Sequence, residues 1–255
     1  RDSSGCGMID YHPYDVRISG ETEVNAHNIE RIEANCQGKT TIRFVTMGDS
    51  QRWYDETEDF VKEINKRNDI DFVIHGGDMS DFGLTKEFLW QRDIMNGLNV
   101  PYVVLIGNHD CLGTGAETYK AVFGPTNFSF IAGNVKFVCL NTNALEYDYS
   151  EPVPNFTFME QEITSRLDEF EKTVISMHAR PYTDVFNDNV AKVFQHYIRQ
   201  YPGIQVCTAA HTHHYQDDVI FDDGIHYVTS DCMDYRTYLV FTITPEKYEY
   251  ELVKY

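Results

Sequence analysis

The sequence lacks an apolar run that approaches the ~20 residues a helix needs to cross a bilayer. It also lacks internal repeats, low-complexity tracts and linker-like stretches rich in proline, glycine and serine. Basic residues are scarce, since 21 Lys and Arg stand against 40 Asp and Glu, giving a formal net charge of −19. Broad electrostatic capture of nucleic acid or of anionic membranes needs a Lys/Arg surface, so the composition argues against both functions.

The remaining composition is that of an ordinary globular protein. Of 255 residues, 42% are hydrophobic and 24% are charged, which is enough apolar sequence for a substantial core. We expect an N-terminal extension over residues 1–40 that packs on one domain running from 41 to 255. The acidity would repel a phosphorylated substrate at long range unless a local feature reverses the sign.

The cysteines give one indication of location. None of the six forms a Cys-x-x-Cys pair, so a zinc-thiolate or thioredoxin-like site is not expected. Small residues before Cys6, followed by a polar and aromatic stretch, resemble the junction at which bacterial lipoproteins are cleaved and lipidated. This predicts membrane attachment through a lipidated Cys6 and a periplasmic or cell-envelope location. A trimmed chain would look the same, and no charged and apolar leader precedes the cysteine.

Hydrophobic periodicity predicts alternating strands and helices after residue 38. Short β-branched runs predict strands over 42–47, 70–74, 102–106, 128–131, 135–140, 173–177 and 204–208. Helical spacing predicts helices over 56–66, 85–98, 116–123, 158–170 and 189–199. From residue 219 onward only short strands are expected, over 219–221, 226–229, 238–242 and 248–253. The pattern indicates a layered α/β domain with a mixed sheet.

Polar residues of a particular kind follow five of these predicted strands. Each strand end carries Asp, Asn or His, and in α/β sheets that edge is where ligands and catalytic groups converge. A lone Asp there is commonly a helix cap, and a lone His often packs within the fold. Five such ends cannot all be caps, and carboxylate, amide and imidazole groups suit divalent metals. The sequence therefore predicts a metal centre.

These residues carry a family resemblance. In order and spacing they resemble the calcineurin-like metallophosphoesterases, whose pattern is Asp-x-His, Gly-Asp, Gly-Asn-His-(Asp/Glu), His and Gly-His-x-His. The matching segments begin at Asp49, Gly77, Gly107, His178 and Ala210, and the likeness spans about residues 42–243. It implies a four-layer α/β/β/α sandwich with mixed sheets, and hydrolysis of a phosphate ester by a hydroxide held between two divalent metals. Either a phosphomonoesterase or a phosphodiesterase fits.

The resemblance also implies roles for individual residues. One ion would be held by Asp49, Gln51, Asp78 and His213, and the other by Asn108, His178 and His211, with Asp78 bridging the two. Mn, Zn, Fe, Co or Ni would suit these ligands. His109 would protonate the leaving-group oxygen, and Asp110 would orient its imidazole or raise its basicity.

Two departures from the family pattern bear on activity. Gln51 stands where the family usually has a histidine, and its amide oxygen is a weaker donor that cannot act as a base. Ala210 replaces a glycine, which matters only if that position needs a positive φ. An alternative to the enzyme is therefore a surface or periplasmic binding protein that retains the metals but has weak or lost catalysis.

Substrate contacts are less well marked by the sequence. Arg180 follows a predicted metal ligand and is the best basic candidate for binding a substrate oxygen, together with Asn108. A surface arginine that begins a loop is an equally good interpretation. The aromatic stretch 147–158 predicts a lid or pocket wall, with packing on the core as the alternative. We expect a small phosphoester substrate rather than a nucleic-acid polyanion.

Overall fold

The computed structural model describes residue 12 and residues 14–255. The predicted lipidation site, Cys6, lies outside the described residues. Within them, no helix combines the length and the apolar character that a membrane span requires.

The described chain alternates strands and helices for most of its length. The strands are β1 (Ile42–Met47), β2 (Phe72–His75), β3 (Tyr102–Val104), β4 (Phe128–Ala132), β5 (Val135–Leu140), β6 (Lys172–Met177), β7 (Ile204–Ala209), β8 (Gln216–Val219), β9 (His226–Thr229), β10 (Thr237–Ile243) and β11 (Tyr248–Lys254). The α-helices are α1 (Val24–Cys36), α2 (Tyr54–Asn65), α3 (Thr85–Met95), α4 (Gly115–Val122), α5 (Phe156–Thr164) and α6 (Ala191–Ile198).

These strands form two mixed sheets. The first has the order β11-β10-β1-β2-β3, in which β1, β2 and β3 are parallel and β10 is antiparallel to both of its neighbours. The second has the order β4-β5-β6-β7-β9-β8, with β5, β6, β7 and β9 parallel and antiparallel strands at both edges. The predicted mixed topology is confirmed.

An aromatic core joins the two sheets face to face. Phe44 of β1 stacks on Phe72 and Phe241 of its own sheet, with ring centroids 5.6 and 5.1 Å apart. Its ring contacts Phe137 of the other sheet edge-to-face, with centroids 4.9 Å apart, which is a geometry that the quadrupoles of aromatic rings favour. Helices α2, α3 and α4 cover the outer face of the first sheet, and α5 and α6 cover that of the second. The four-layer α/β/β/α sandwich is therefore confirmed.

The described part of the N-terminal extension contacts the rest of the chain. The side chain of Asn25 in α1 bonds to both the N–H and the carbonyl of Val104 in β3. The guanidinium of Arg92 in α3 donates to the carbonyls of Ser19 and Glu21. Helix α1 contributes side chains to the cores on both faces of the first sheet. The domain boundary at residue 40 stays a prediction.

The bounds of most predicted elements shift by up to three residues in the structure, and two of the differences have an identifiable physical cause. Helix α5 ends at Thr164 rather than at residue 170. The buried ammonium of Lys136 donates hydrogen bonds to the carbonyls of Glu162 and Ser165, and Arg166 adopts a left-handed conformation with φ +56°, so the helix does not continue. Strand β8 covers Gln216–Val219 rather than 219–221. It is an edge strand made of polar residues, so hydrophobic periodicity does not mark it.

The carboxyl ends of β1, β2, β3, β6 and β7 meet at one edge of the sandwich. Two glycines allow the loops there to approach closely. Gly77 has φ +102°, and a Cβ on Gly107 would lie 2.2 Å from Oδ1 of Asp78. Ala210 does not adopt a positive φ, so the alanine in place of the family glycine costs no backbone strain.

Candidate metal centre

Two groups of potential metal ligands share one carboxylate. Asp78, His178 and His211 form the first group, and Asp49, Asp78 and His213 form the second. Within each group the ligand atoms lie within 4.8 Å of one another. The structure thus brings together five of the residues predicted as metal ligands, with Asp78 placed between the two groups.

Three buried oxygens at this edge have no hydrogen-bond partner. They are Oδ1 of Asp49, Oε1 of Gln51 and Oδ2 of Asp78. An unpartnered buried acceptor costs about 1–3 kcal/mol, and native proteins contain few of them. Nε2 of His213 lies 3.4 Å from the Asp49 oxygen, and Nε2 of His178 lies 3.3 Å from the Asp78 oxygen. Oxygen and imidazole donors arranged in this way fit divalent cations, which would satisfy all three acceptors.

Gln51 is placed with the ligands although it is not a histidine. Its side chain is buried and its backbone N–H donates to the carbonyl of Asp78. The unpartnered Oε1 is the one atom of this side chain that can act as a hard donor. A neutral amide oxygen is a weaker donor than an imidazole, so Gln51 binds a cation less strongly than a histidine at this position would.

The second group is completed by Asn108. Its Oδ1 lies 3.1 Å from Nε2 of His178 and 3.0 Å from Nδ1 of His211. Nδ1 of His178 donates to the carbonyl of Gly76 at 2.8 Å, so Nε2, which faces Asp78 and Asn108, is the nitrogen that could bind a cation once it is deprotonated. Such a partner on the far nitrogen fixes the tautomer that a metal-binding imidazole needs.

Asp184 is a further partner that the sequence did not indicate. Its Oδ1 lies 2.5 Å from Nε2 of His211, on the side of the ring opposite Asn108. A carboxylate at that position orients the imidazole and strengthens it as a donor through Nδ1.

Five of the predicted ligands have strained backbones. Asp49, Gln51, Asp78, His211 and His213 adopt φ values of 50°, 30°, 56°, 73° and 65°. A left-handed conformation costs a non-glycine residue roughly 1–3 kcal/mol and concentrates at functional sites. The same turns direct these side chains toward one another.

The electrostatic field at the site favours positive charge. Burial lowers the pKa of His178, but the charges of Asp78 and Asp49 oppose it and raise the value to about 9. The interaction with the nearby Asp49 carboxylate, followed by that with Cys232, raises the pKa of His213 to about 10. A field that stabilises two imidazolium ions also attracts divalent cations, which need the neutral imidazoles as ligands.

His109 lies beside the candidate ligands, but its ring is bonded to Asp81, which is not one of them. Its backbone N–H donates to Oδ1 of Asp78 at 2.9 Å, and Nδ1 of the ring lies 2.7 Å from the carbonyl oxygen of Asp81. The Asp81 carboxylate is 3.7 Å from the same nitrogen and pairs with Arg52 at 2.8 Å. Asp81 therefore positions His109.

The expected contact between Asp110 and the His109 ring is wrong. The buried carboxylate of Asp110 instead accepts the backbone N–H groups of Gly107, Asp78, Met79 and Ser80, and also the Ser80 hydroxyl. Both residues lie in a short 3₁₀ turn, His109–Cys111, in which consecutive side chains point in different directions. Asp110 fixes the two loops that carry Asp78 and Asn108.

Arg180 is already paired in the structure. Its guanidinium bonds to Asp218 at 3.1 Å and to Gln216 at 3.5 Å, both on β8, and to the carbonyl of Pro181. None of these partners is a predicted metal ligand. A role for Arg180 in binding substrate stays a prediction.

The amino-acid sequence matches the sequence model of a protein family. The model describes the calcineurin-like phosphoesterases and covers residues 42–215, a range that contains every candidate ligand. The chain belongs to the calcineurin-like phosphoesterase family. The family predicted from the strand-end motifs is confirmed.

Solved structures share the fold at low sequence identity. A dimetal phosphatase from Danio rerio superposes with TM-score 0.65 and 12% identity over 84% of this chain and 97% of its own. The purple acid phosphatase PPD1 from yellow lupin seeds gives 0.62 and 15% over 86% and 52%. GAP50, described as the anchor in the inner membrane complex of Plasmodium, gives 0.63 and 11% over 85% of both chains. No curated protein sequence matches significantly.

The raised pKa values predict that metal binding releases protons. With these raised pKa values His178 and His213 are imidazolium at pH 7 in the metal-free protein, so binding should release about two protons and affinity should rise with pH up to about 10. Calorimetry in buffers of different ionisation enthalpy measures the release. His213→Asn should lower it by about one proton, and His226→Asn, a surface control, should not. Affinity that is independent of pH would contradict this account.

The role of Asp110 predicts a stability defect. In Asp110→Asn one carboxylate oxygen becomes an NH₂ group that faces backbone N–H donors, so we expect a loss of about 2–4 kcal/mol in unfolding free energy. Urea denaturation of the chelator-treated protein measures it, with the exposed Asp168→Asn as the matched control. A variant as stable as the control would show that this carboxylate does not fix the loops.

Proposed function

We propose that the protein hydrolyses a phosphate ester, either a monoester or a diester, using two divalent metal ions. The observation that carries the proposal is the pair of ligand groups that share Asp78, with three buried oxygens left unpartnered around it. Membership of the family and its fold supports the same chemistry.

Two divalent ions, when bound, would supply Lewis acidity toward the phosphoryl oxygens and would lower the pKa of water at the site. The chain's own part is to hold them. Asp78 lies between the two ligand groups, Asp49 and Gln51 belong to one side, and Asn108 to the other. The local positive charge reverses the sign that the acidic chain would otherwise present to a phosphate.

His109 is the residue placed to deliver a proton. Because a carbonyl can only accept, Nδ1–H of the ring must donate to Asp81 O, which leaves Nε2 as the exchangeable nitrogen. The imidazolium form would give its Nε2 proton to the oxygen that leaves phosphorus. About a third of the side chain is exposed, so a substrate can reach it.

The alternative is a protein that retains metals and binds without turnover. The neutral Gln51 at one side of the site favours it, and one structural relative, GAP50, is described as an anchor. We also propose a periplasmic or cell-envelope location, which is supported only by the sequence around Cys6.

The assignment of His109 predicts a kinetic pattern. His109→Gln should keep its metals but lose about 10²–10⁴-fold in kcat, and more with an alkyl phosphate than with an aryl phosphate, because a poor leaving group needs the proton. His211→Ala should lose metal and turnover together, and the exposed His196→Gln serves as the control. Turnover assays with elemental analysis separate these cases. Full metal content without hydrolysis of any monoester, diester or nucleotide would favour the binding protein.

A further inference from the structure

A large cavity lies next to the metal centre. It has a volume of about 860 Å³ and lies between two irregular segments, 144–156 and 184–190. The first segment contains most of the aromatic stretch 147–158, for which the sequence predicts a lid or pocket wall, with packing on the core as the alternative. Tyr147, Tyr149 and Phe156 line the cavity, while Phe156 and Phe158 also pack against the core.

The cavity shares residues with the metal centre. Asp184 lines the cavity and holds Nε2 of His211 at 2.5 Å. At the other end, the hydroxyl of Tyr147 contacts Sγ of Cys111 at 3.8 Å, and that thiol bonds to the carbonyl of Gly107. Gly107 directly precedes Asn108, so a residue of each lining segment contacts the second ligand group, Asp184 directly and Tyr147 through Cys111. A group bonded to a phosphate in the centre would extend into this space.

The wall of the cavity is acidic. Asp148, Glu151, Asp184 and Asp188 line it, and the described lining contains no Lys, Arg or His. Lys120 pairs with Glu151 at 3.0 Å from outside the lining. The remaining charge stays negative, because Asp148 and Asp188 are bonded through backbone N–H groups of Ser150 and Tyr182, which carry no charge. A second phosphate or a carboxylate on the substrate would be repelled here.

Aromatic rings complete the same wall. Tyr147, Tyr149, Phe156 and Phe186 line the cavity beside the carboxylates. The faces of aromatic rings attract ammonium groups, with a contribution of about 0.5–2 kcal/mol for each contact. Rings together with carboxylates form a surface that suits an organic cation.

We propose that this cavity binds the cationic alcohol portion of the substrate, which would make the substrate a phosphoester of an amino alcohol. The proposal rests on the proposed hydrolytic function. In the reaction, water oxygen forms a new bond to phosphorus and the bond from phosphorus to the amino-alcohol oxygen breaks. The proton from His109 goes to that oxygen, and the ammonium group stays in the cavity until the alcohol leaves.

The test compares two phosphate monoesters that differ in charge but not in shape. Phosphocholine carries a quaternary ammonium, and 3,3-dimethylbutyl phosphate replaces its nitrogen by carbon. With Mn²⁺-loaded protein, we expect kcat/KM for the cation to exceed that for the neutral ester by about tenfold or more. The ratio, rather than either rate, is the measurement.

Substitution of the exposed carboxylates should remove the preference. The double variant Asp148→Asn/Asp188→Asn removes the two carboxylates that no cation pairs with, and it should bring the ratio to within about twofold of unity. A matched control, Asp168→Asn/Glu246→Gln, removes the same charge from exposed positions outside the cavity and should keep the preference. Each single variant should give an intermediate ratio. Glycerophosphocholine and lysophosphatidylcholine micelles serve as further arms, which distinguish a soluble diester from a lipid headgroup as the source.

The outcomes separate the two proposals. Equal kcat/KM for both monoesters, in a protein that hydrolyses aryl phosphate, would overturn the cation pocket and leave the phosphoesterase intact. Loss of the preference in the control double variant would show that only overall charge matters and would likewise overturn the pocket. If no ester is hydrolysed, the phosphoesterase proposal fails. Calorimetric binding of the two esters to the Mn²⁺-loaded protein would then decide the cavity, with equal affinities overturning it.

Discussion

The buried carboxylate of Asp78 is the group on which the arrangement of the site depends. One of its oxygens accepts the N–H of His109, and the other has no hydrogen-bond partner and faces His178 at 3.3 Å. A buried anion is costly unless positive charge compensates it, so this position requires protonated imidazoles or bound cations. Because Asp78 belongs to both ligand groups, each group needs positive charge beside this carboxylate.

The surrounding backbone is built to hold that carboxylate in place. Asp110 ties the loop of Asp78 to the loop of Asn108 through four backbone N–H groups, and Gly107 provides the space for close approach. Positive φ angles at five ligands add strain that the bound metals would offset. The aromatic core between the sheets supplies the rigid platform, since β1, β2 and β3 enter the site directly from it. The cavity beside His211 would hold the part of the substrate that is bonded to the phosphate.

The sequence indicated more of the metal centre than of its surroundings. Asp49, Asp78, Asn108, His178, His211 and His213 follow strand ends, and the common edge of the sheets makes their convergence predictable. Asp184 has no signal in the sequence, because it lies in an irregular loop and contacts His211 only through the tertiary fold. The sequence predicts that Asp110 contacts its neighbour His109, but the 3₁₀ turn that contains both residues points the two side chains in different directions. The polar strand β8 and the early end of α5 depend on an edge pairing and on one buried lysine, which periodicity cannot show.

The most direct measurement of the central claim is electron paramagnetic resonance of the Mn²⁺-titrated protein together with elemental analysis. The account predicts two Mn²⁺ ions per chain with an exchange-coupled spectrum, because one carboxylate, Asp78, would bridge both. Asp78→Asn should abolish the coupling, while His196→Gln should preserve it. A single uncoupled Mn²⁺ per chain, or two ions without coupling, would contradict the shared role of Asp78.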